Sequence, residues 1–471
     1  MKIFNNLNIP KKYKKSALAI GNFDGVHLGH QKVFKKTKDI AKDKKIKFGV
    51  MTFTPLPTMF FNKKVTNLIG LIFVTIICGC ANSNENKYSY DNYEPIILIS
   101  IDGFRWDYID RTNTPNFDSV IKRGVKTKGL VPVFPTKTFP NHLSIVTGNY
   151  PKNHGIISNR MYDSEFDEIY YIGEGSKPVL DPKWYEAEPI WVTAEKQNKK
   201  AMTMFWPGSE AKIMGMYPSE YFVYDGSISH DSRIEQILKW LQYEPQKRPD
   251  IITVYFSHVD SQGHRYGPQS DQITQAIEEM DRVIGKLIYD LNEINILEQI
   301  NIMITSDHGM ASISEDSVIF IDDYIDLSSV NIVDWSPVMS IFTNDIKNAY
   351  NKLYNAHPNM KIYKKEDIPS RLQYNDHKRI APLIGIADEG WSISSREQFN
   401  PNNYNGGAHG YDPQYQSMHG IFIAMGPAFD SGLNLPHLSS LHLYELMCKI
   451  IGITPAMNDG SIDSTSSFLI K

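Results

Sequence analysis

Three continuous apolar runs constrain this 471-residue chain more than any other feature, namely residues 95–101, 251–256 and 302–305. A strand that is buried on both faces of a parallel sheet is apolar throughout, whereas a half-exposed strand alternates. Between the last two runs, residues 270–291 carry apolar side chains every three or four positions, which is the period of a helix packed on one face. Alternating buried strands and helices predict a doubly wound, mostly parallel α/β sheet.

Carboxylates and imidazoles follow these apolar runs. Ligands of open α/β sheets bind outside the carboxyl ends of the strands. Aspartate and histidine suit Zn²⁺, and three carboxylates offset most of the charge of two divalent ions. Any one of these segments alone could be an ordinary turn or helix cap, but their shared position predicts a metal site. The candidate ligands are Asp102, Asp260, His264, Asp307, His308 and His409, the last in a glycine-rich loop.

Residues 133–142, Val-Phe-Pro-Thr-Lys-Thr-Phe-Pro-Asn-His, predict a short helix that opens near Phe139. Proline is tolerated in a first helical turn, and Gly148 favours the far end. Thr138 then stands at or beside the N-cap, where free amides and the helix dipole attract an anion such as phosphate. These residues alone leave two interpretations open, a plain threonine cap and a nucleophile.

The N-terminal part differs sharply in charge from the rest of the chain. Residues 1–65 hold 15 of the 49 basic residues, all lysine, and 3 of the 53 acidic ones. Residues 66–471 therefore keep 34 basic and 50 acidic residues, a balance of −16. The two parts look like chains of different origin, and no binding of duplex nucleic acid is expected.

An apolar strand and a glycine-rich turn at residues 17–31 hold His27 and His30 in an H-x-G-H pattern. Such a turn can bring backbone amides and imidazoles to the phosphates of a nucleotide. Together with Met-Thr-Phe-Thr-Pro-Leu-Pro at 51–57, it resembles the opening of the nucleotidyltransferase domain of prokaryotic FAD synthetase. The resemblance implies an FMN adenylyltransferase, but two strands and one helix cannot bury a core of their own. We therefore interpret residues 1–61 as an incomplete nucleotidyltransferase-like fragment.

Residues 62–93 combine two lysines, an apolar run of about 14 residues and a polar linker, the run being too short to span a bilayer comfortably. Its end, Ile-Cys-Gly-Cys at 77–80, resembles a bacterial lipobox with Cys80 as the lipidated residue. A buried strand or helix is the alternative. The lipobox implies a start near Met59 and a periplasmic or cell-envelope lipoprotein held to the membrane through Cys80. If the internal signal is not used, the chain is cytoplasmic.

The segment 94–471 resembles the nucleotide pyrophosphatase/phosphodiesterase family of the alkaline phosphatase superfamily over nearly its full length. This resemblance implies an alkaline-phosphatase-like sheet in which residues 312–400 form an inserted smaller lobe. It also implies a hydrolase that acts on nucleotides or other small phosphodiesters. A non-enzymatic surface lipoprotein on the same fold is a further alternative. The matching motifs lie at 100–105, 135–142, 150–156, 205–210, 306–310 and 409–412.

The same resemblance implies two zinc ions and a phospho-threonine intermediate. Thr138 would be the nucleophile, and Asn159 would donate to the phosphoryl oxygens. Phe139 and Tyr255 would line the nucleobase slot, although either ring could instead belong to the core. His142 and His154 are expected to be structural, hydrogen-bonding the loops around Thr138. One zinc ion would be held by Asp102, Thr138, Asp307 and His308, and the second by Asp260, His264 and His409.

Overall fold

A computed structural model describes residues 2–4, 16–20, 28–54, 73–79, 90, 93–173 and 175–470. The chain divides into two compact units, Met1–Lys87 and Tyr88–Lys471. The boundaries predicted from the sequence, 62–93 for the linker and 312–400 for the lobe, stay predictions.

The first unit contains a four-stranded sheet and one helix. Strands Ser16–Ile20 and Lys47–Thr54 are parallel and are connected through helix Leu28–Asp43, the strand–helix–strand order that the sequence predicts. Strand Phe73–Gly79 runs antiparallel to Lys47–Thr54, and Lys2–Phe4 pairs with its other edge. The predicted apolar run therefore contributes a strand to this sheet.

Several predictions for the N-terminal part concern residues that the structure does not describe. His27, Met59 and Cys80 lie outside the described residues, and His30 lies in helix Leu28–Asp43 without a described side chain. Within the described segments, no helix combines the length and the apolar character needed to cross a membrane. The lipid anchor and the cellular location stay predictions.

The second unit is built on an eight-stranded sheet whose central strand is Ile96–Ile101. Parallel neighbours flank this strand on both sides, Ile251–Phe256 and Asn301–Thr305, and all three strands are buried at every position. This arrangement confirms the mostly parallel sheet predicted from the three apolar runs. Across the sheet the strands are Glu220–Phe222, Ala201–Met204, Ile251–Phe256, Ile96–Ile101, Asn301–Thr305, Phe422–Met425, Val125–Thr127 and Leu433–Leu435.

Alternate side chains of the central strand enter two separate hydrophobic cores. Ile96 and Leu98 belong to one core, and Ile97 and Ile99 belong to the other, as expected when strand residues point to opposite faces. Helices therefore cover both faces of the sheet, which confirms the doubly wound architecture. One core includes residues of helices Thr138–Thr147, Ile190–Lys196 and His442–Ile451; the other includes residues of Pro115–Arg123, His230–Leu241 and Asp271–Glu293.

Helix Asp271–Glu293 is the amphipathic helix predicted at 270–291, and the Ser270 hydroxyl caps it by accepting from the amide of Ile273. Its apolar stripe contains one buried carboxylate, Asp281. That carboxylate accepts hydrogen bonds from the amides of Asn116 and Phe117, at the start of helix Pro115–Arg123. These bonds satisfy free helix amides that burial would otherwise leave unpaired.

The predicted lobe contains an antiparallel four-stranded sheet with a separate core. Its strands, in order across the sheet, are Asn331–Asp334, Val338–Phe342, Leu383–Ala387 and Met360–Lys364, and helix Ile346–Leu353 packs beside them. The remaining pairs of strands are Arg160–Asp163 with Glu168–Tyr171, Ala311–Ser312 with Gly407–Ala408, Val318–Phe320 with Ser392–Ser394, and Leu130–Val131 with Leu438–Ser439. Three short helices, Pro151–His154, Lys177–Leu180 and His258–Tyr266, lie in loops of the main sheet.

Candidate metal centre and active site

The carboxyl ends of two adjacent strands bring together the first group of predicted ligands. Asp102 directly follows strand Ile96–Ile101, and Asp307 lies two residues beyond the end of strand Asn301–Thr305. His308 Nε2 lies 3.3 Å from Asp102 Oδ1 and 3.0 Å from Asp307 Oδ2. Thr138 Oγ1 lies 3.4 Å from the same nitrogen. Because ligand atoms about 2 Å from a tetrahedral zinc ion stand roughly 3.3 Å apart, these separations fit one shared metal ion.

The second group comes from a helix and a loop rather than from a strand end. The sequence places Asp260 at the end of strand Ile251–Phe256, but it lies in the first turn of helix His258–Tyr266. Residues four apart share a helix face, so His264 Nε2 lies 3.4 Å from Asp260 Oδ1. His409 Nε2 approaches to 3.0 Å from His264 Nε2 and 3.7 Å from Asp260 Oδ1. These three separations also fit one tetrahedral ion.

The ligand atoms can be grouped in another way, since atoms of Asp260, His308 and His409 also lie within 4.8 Å of one another. We assign His308 to the first group, because its Nε2 lies within 3.4 Å of Thr138 Oγ1 as well as of both carboxylates there. His264 completes the second group. The His308 and His409 rings stack with centroids 3.5 Å apart, which brings the two groups together.

The three histidines all turn the same nitrogen toward the centre. Nδ1 of His264 lies 2.9 Å from the carbonyl oxygen of Gly407, and Nδ1 of His308 lies 2.9 Å from that of Gly309. Nδ1 of His409 lies 2.8 Å from the Thr136 carbonyl oxygen. A carbonyl only accepts, so each Nδ1 carries the hydrogen and each Nε2 presents a lone pair. This is the arrangement of metal-ligating imidazoles.

The carboxylates in turn leave oxygen atoms without partners. Among the described residues, Asp102 Oδ1, Asp260 Oδ1 and Asp307 Oδ2 are buried with no hydrogen-bond partner. Burial, together with the neighbouring charges of Asp307 and Asp260, raises the pKa of Asp102 well above its ordinary value. Buried carboxylates that lack donors need a cation, so the residues present fit a metal ion of the hard or borderline class.

Glycine allows the two groups to approach each other. Gly103 follows Asp102 with φ +66°, a left-handed conformation, and its amide donates to Asp307 Oδ1 over 3.2 Å. A Cβ at this position would come within 3.0 Å of the Cα, Cβ and Oδ1 atoms of Asp260. Only glycine combines this backbone conformation with such a close approach. Residue 103 therefore sets the spacing between Asp102 and Asp260.

Thr138 is the first residue of helix Thr138–Thr147, and Lys137 rather than Thr138 occupies the N-cap position. Thr138 therefore lies directly after the N-cap, which agrees with the predicted position at or beside the cap. The Thr138 side chain makes no capping hydrogen bond there. Asn159 Oδ1 accepts from the amide of Phe139 over 3.0 Å. That bond uses the side-chain oxygen of Asn159, so its side-chain nitrogen stays available as a donor. The roles predicted for Thr138 and Asn159 stay predictions.

A cavity of about 310 Å³ opens beside Thr138, within the usual size range of small-molecule sites. The rings predicted to form a nucleobase slot, Phe139 and Tyr255, both line it. Glu210 also lines it, and burial raises the pKa of this carboxyl. Other lining residues are Leu180, Phe205, Pro207, Val223 and Tyr224. The site thus joins an acidic, metal-suited centre to a largely apolar slot.

No pattern in the sequence indicates a second contact made by Tyr255. Its hydroxyl donates to Asp102 Oδ2 over 2.5 Å, so the residue contacts the metal centre as well as the cavity. Thr136 was also missed, although its carbonyl orients His409 and its hydroxyl accepts from the Gly410 amide over 2.9 Å. Both contacts join residues more than 130 positions apart, and no local pattern reports them.

The structure places the two remaining predicted histidines beside helix Thr138–Thr147, both fully buried. His142 Nδ1 lies 2.9 Å from the Thr138 carbonyl oxygen, and its Nε2 lies 2.8 Å from Ser100 Oγ. His154 Nε2 lies 3.1 Å from the Pro140 carbonyl oxygen, and its Nδ1 accepts from the Ile156 amide. Both imidazoles hydrogen-bond the backbone around Thr138, as predicted from the sequence.

Comparison with known proteins adds independent information on the second unit. A family model described as type I phosphodiesterase / nucleotide pyrophosphatase matches residues 96–412. Bis(5'-adenosyl)-triphosphatase enpp4 of Xenopus laevis is 37% identical over 406 residues, which cover 85% of this chain and 88% of that protein. Human ectonucleotide pyrophosphatase/phosphodiesterase family member 5 is 37% identical over 402 residues, 84% of this chain and 83% of that protein.

A solved structure shows the same fold. It is an inactive variant of murine ectonucleotide pyrophosphatase / phosphodiesterase 5 in complex with AMP, with a TM-score of 0.77 and 34% sequence identity. The likeness covers 80% of this chain and 100% of the murine one. The predicted alkaline-phosphatase-like architecture is thereby confirmed.

A second family model, described as FAD synthetase, matches residues 9–71. The match supports the resemblance noted at the N-terminus. It spans a small part of the chain, whereas the phosphodiesterase model and the curated relatives account for most of it. The chain therefore belongs to the type I phosphodiesterase/nucleotide pyrophosphatase family of hydrolases.

Proposed function

We propose that residues 88–471 hydrolyse phosphodiester or pyrophosphate bonds of nucleotides through a phospho-threonine intermediate and with two zinc ions. One observation carries the proposal. The Thr138 hydroxyl stands at the start of a helix, 3.4 Å from His308 Nε2, and faces the cavity beside the two groups of ligands. A hydroxyl in that position can attack phosphorus while the helix N-terminus binds the phosphate oxygens.

The metal-ligating residues fall into two sets with different tasks. Asp102, Asp307 and His308 would hold one ion together with Thr138, and Asp260, His264 and His409 would hold the second. Bound zinc would lower the pKa of the threonine hydroxyl and neutralise charge on the phosphoryl group. The choice of zinc rests on the mixture of imidazole and carboxylate donors with tetrahedral spacing.

The protein's own groups perform the remaining steps. Thr138 Oγ1 forms the new bond to phosphorus in line with the leaving oxygen, which departs toward Asp260 and His409. The Asn159 side-chain amide donates to the phosphoryl oxygens, where negative charge develops, and the positive end of the helix dipole adds to its effect. Water then attacks the phospho-threonine from the side that the leaving group occupied, and the nucleoside 5′-monophosphate is released.

The substrate class follows from the cavity. Phe139 and Tyr255 offer aromatic faces next to the reacting hydroxyl, which suits a nucleobase attached to the phosphate through its sugar. The solved murine relative holds AMP, and the Xenopus relative carries the name of a bis(5'-adenosyl)-triphosphatase. Mononucleotide esters and dinucleoside polyphosphates are therefore the first substrates to examine.

The test uses the purified protein with added zinc and the p-nitrophenyl ester of thymidine 5′-phosphate. We expect release of nitrophenol and of the 5′-monophosphate, and a loss of at least about a thousandfold in kcat/KM for Thr138→Ala, as for other nucleophiles. Thr147→Ala, at the far end of the same helix, is the matched control and should stay active. An active Thr138→Ala variant would refute the nucleophile, and an inactive wild type would refute the function.

A second candidate function, FMN adenylyltransferase, is favoured by the match of residues 9–71 to FAD synthetase. The described part of the first unit contains one strand–helix–strand connection of that type. Incubation of the full chain with FMN and ATP tests it, with residues 88–471 alone as the control. FAD formed by the full chain only would establish this activity, and no FAD from either protein would refute it.

We also propose lipid attachment at Cys80, for which the lipobox-like sequence at 77–80 is the support. The proposal places the enzyme at the cell envelope, in contact with extracytoplasmic nucleotides. Mass spectrometry of the native N-terminus tests it. A native protein that starts at Met1 without lipid would refute the anchor.

A further inference from the structure

One carboxylate of the lobe reaches the segment that carries Thr138. Asp334 ends strand Asn331–Asp334, and its Oδ2 accepts from Lys137 Nζ over 2.6 Å and from Ser158 Oγ over 2.6 Å. Its Oδ1 accepts from the amide of Trp335 over 3.0 Å. Both carboxylate oxygens are thus used, and the lobe is joined to two separate segments of the main unit.

The setting of this ion pair is unusual for a lysine. The Lys137 side chain is 7% exposed and that of Asp334 is 13% exposed. Surface ion pairs contribute little, but a buried pair that loses one partner leaves an uncompensated charge. A lysine held in this way has a fixed position, because solvent cannot replace its partner without opening the junction between lobe and core.

The two residues bound by Asp334 each precede a residue of the active site. Lys137 is the N-cap of the helix that begins with Thr138, and Ser158 directly precedes Asn159. The segments are also linked directly, since Asn159 Oδ1 accepts from the Phe139 amide. One carboxylate therefore sets the distance between the attacking hydroxyl and the amide expected to bind the phosphoryl oxygens.

The Lys137 side chain also contacts the loop that carries His409. A Cβ added to Gly410 would lie 3.3 Å from Lys137 Cε, and Gly410 has φ +108°. The stem of the lysine thus packs along the glycine that follows His409. Fixing Lys137 therefore fixes this loop as well as the helix, so one contact from the lobe reaches three parts of the site.

We propose that Asp334 is a positioning residue that aligns Thr138 and Asn159 for attack on phosphorus. The inference rests on the proposed hydrolysis. A carboxylate that only neutralised Lys137 would affect stability, whereas one that aligns the reacting groups affects kcat. A displacement of about 1 Å at a reacting group can cost a hundredfold in rate, so the two roles are separable by kinetics.

The experiment compares steady-state kinetics of four variants on the thymidine ester. Asp334→Asn keeps the shape but weakens both hydrogen bonds, and we expect kcat to fall by about tenfold or more. KM should stay within about threefold, since the contact lies outside the nucleobase cavity. Ser158→Ala removes one of the two bonds and should give a smaller fall in kcat. Asp323→Asn is the matched control, because it breaks an exposed ion pair with Arg396 in the same lobe and should leave kcat unchanged.

The fourth variant separates alignment from charge. Lys137→Met combined with Asp334→Ala removes both charges, so no buried ammonium is left unpaired, and thermal unfolding shows whether the fold is intact. We expect this double variant to unfold near the wild-type temperature yet to keep a low kcat. A double variant with wild-type kcat, or an Asp334→Asn variant whose loss lies in KM alone, would overturn the inference while leaving the proposed hydrolysis intact. An inactive wild type would overturn both.

Discussion

The two groups of metal-suited residues are built from different kinds of structure. Asp102, Asp307 and His308 have side chains that are at most 2% exposed, at the ends of two adjacent central strands. In the other group, the His264 side chain is 45% exposed and that of Asp260 is 15% exposed. A short helix and a glycine-rich loop carry this second group, and neither belongs to the main sheet.

This difference assigns different physical properties to the two sides of the site. Both strands are paired with a neighbouring strand on each side, so the first group is rigid and desolvated where Thr138 stands. In a low-dielectric environment its charges act strongly on the Thr138 hydroxyl. In the second group the His264 side chain faces solvent, which leaves that side of the site open to a leaving group and to water. We expect the first group to control activation of Thr138 and the second to exchange metal more readily.

The largest effect should come from removing a ligand of the buried group. Asp307→Asn should lower kcat/KM by about a thousandfold or more, because Asp307 would hold the ion proposed to activate Thr138. His264→Asn should cost about a hundredfold, since ligand loss at an exposed site leaves room for water as a substitute. Kinetics with metal analysis of each purified variant measures both. Excess zinc should partly restore His264→Asn but not Asp307→Asn, and equal losses without rescue would contradict the comparison.

Removal of metal from the wild-type protein tests, without a mutation, whether the unequal burial of the two groups affects metal exchange. On dialysis against a chelator, we expect one ion to leave before the other, because ligands that face solvent dissociate with a lower desolvation barrier. Activity should fall with the first ion lost and return when zinc is added. The metal content per chain and the activity are followed together over time. If both ions leave at one rate, the difference in burial has no consequence for exchange.

A smaller effect is expected from the hydroxyl that connects the cavity to the buried group. Tyr255→Phe keeps the ring but removes the hydrogen bond to Asp102 Oδ2, and we expect kcat/KM to fall by about tenfold. Tyr224→Phe is the matched control, because Tyr224 lines the same cavity but its hydroxyl contacts Ser257 Oγ instead. A loss of the same size in both variants would show that the hydroxyl of Tyr255 acts in the cavity and not on the metal centre.

The smallest expected effect is on folding stability, through a histidine that is buried beside helix Thr138–Thr147. Burial lowers the pKa of His154 to about 3, despite the favourable contact with the Pro140 carbonyl. The free energy of unfolding is at its full value above the ordinary pKa of about 6.5. It decreases as pH falls below that value, because the unfolded chain then binds a proton at His154 and the folded chain does not.

His154→Asn removes the contribution of His154 to the pH dependence of the unfolding free energy. Chemical denaturation of wild type and variant at two pH values measures this contribution. The difference in unfolding free energy between wild type and variant should shrink by about 2 kcal/mol between pH 7.5 and pH 5. Parallel curves at the two pH values would show that His154 takes up a proton in the folded protein too.

Much of the site could be predicted because its parts are local patterns placed by a general rule. Apolar runs at 95–101, 251–256 and 302–305 identified three strands, and the edge rule for parallel sheets put Asp102 and Asp307 side by side. Asp260 also lies beyond the carboxyl end of its strand, but in the first turn of the helix that follows rather than directly at the strand end. The four-residue spacing to His264 places both side chains on one face of that helix.

The contacts that escaped prediction join residues far apart in the chain. Tyr255 bonds Asp102 across 153 positions, and Asp334 bonds Lys137 across 197. Neither pair belongs to a repeating pattern. The first depends on the pairing of two strands that are distant in the chain, and the second depends on how the lobe packs against the main unit. A carboxylate at the end of a lobe strand has the same local signature as any surface aspartate.

The sequence by itself determined the doubly wound sheet, the strand ends that carry ligands and the threonine at a helix N-terminus. Hydrophobic periodicity and helix-start preferences act over a few residues, so the residues alone report them. Only the tertiary structure decided that two groups of ligands of unequal burial meet at Thr138, and that Asp334 joins the lobe to them. Those distances come from the packing of entire elements against one another, for which no single stretch of sequence carries the information.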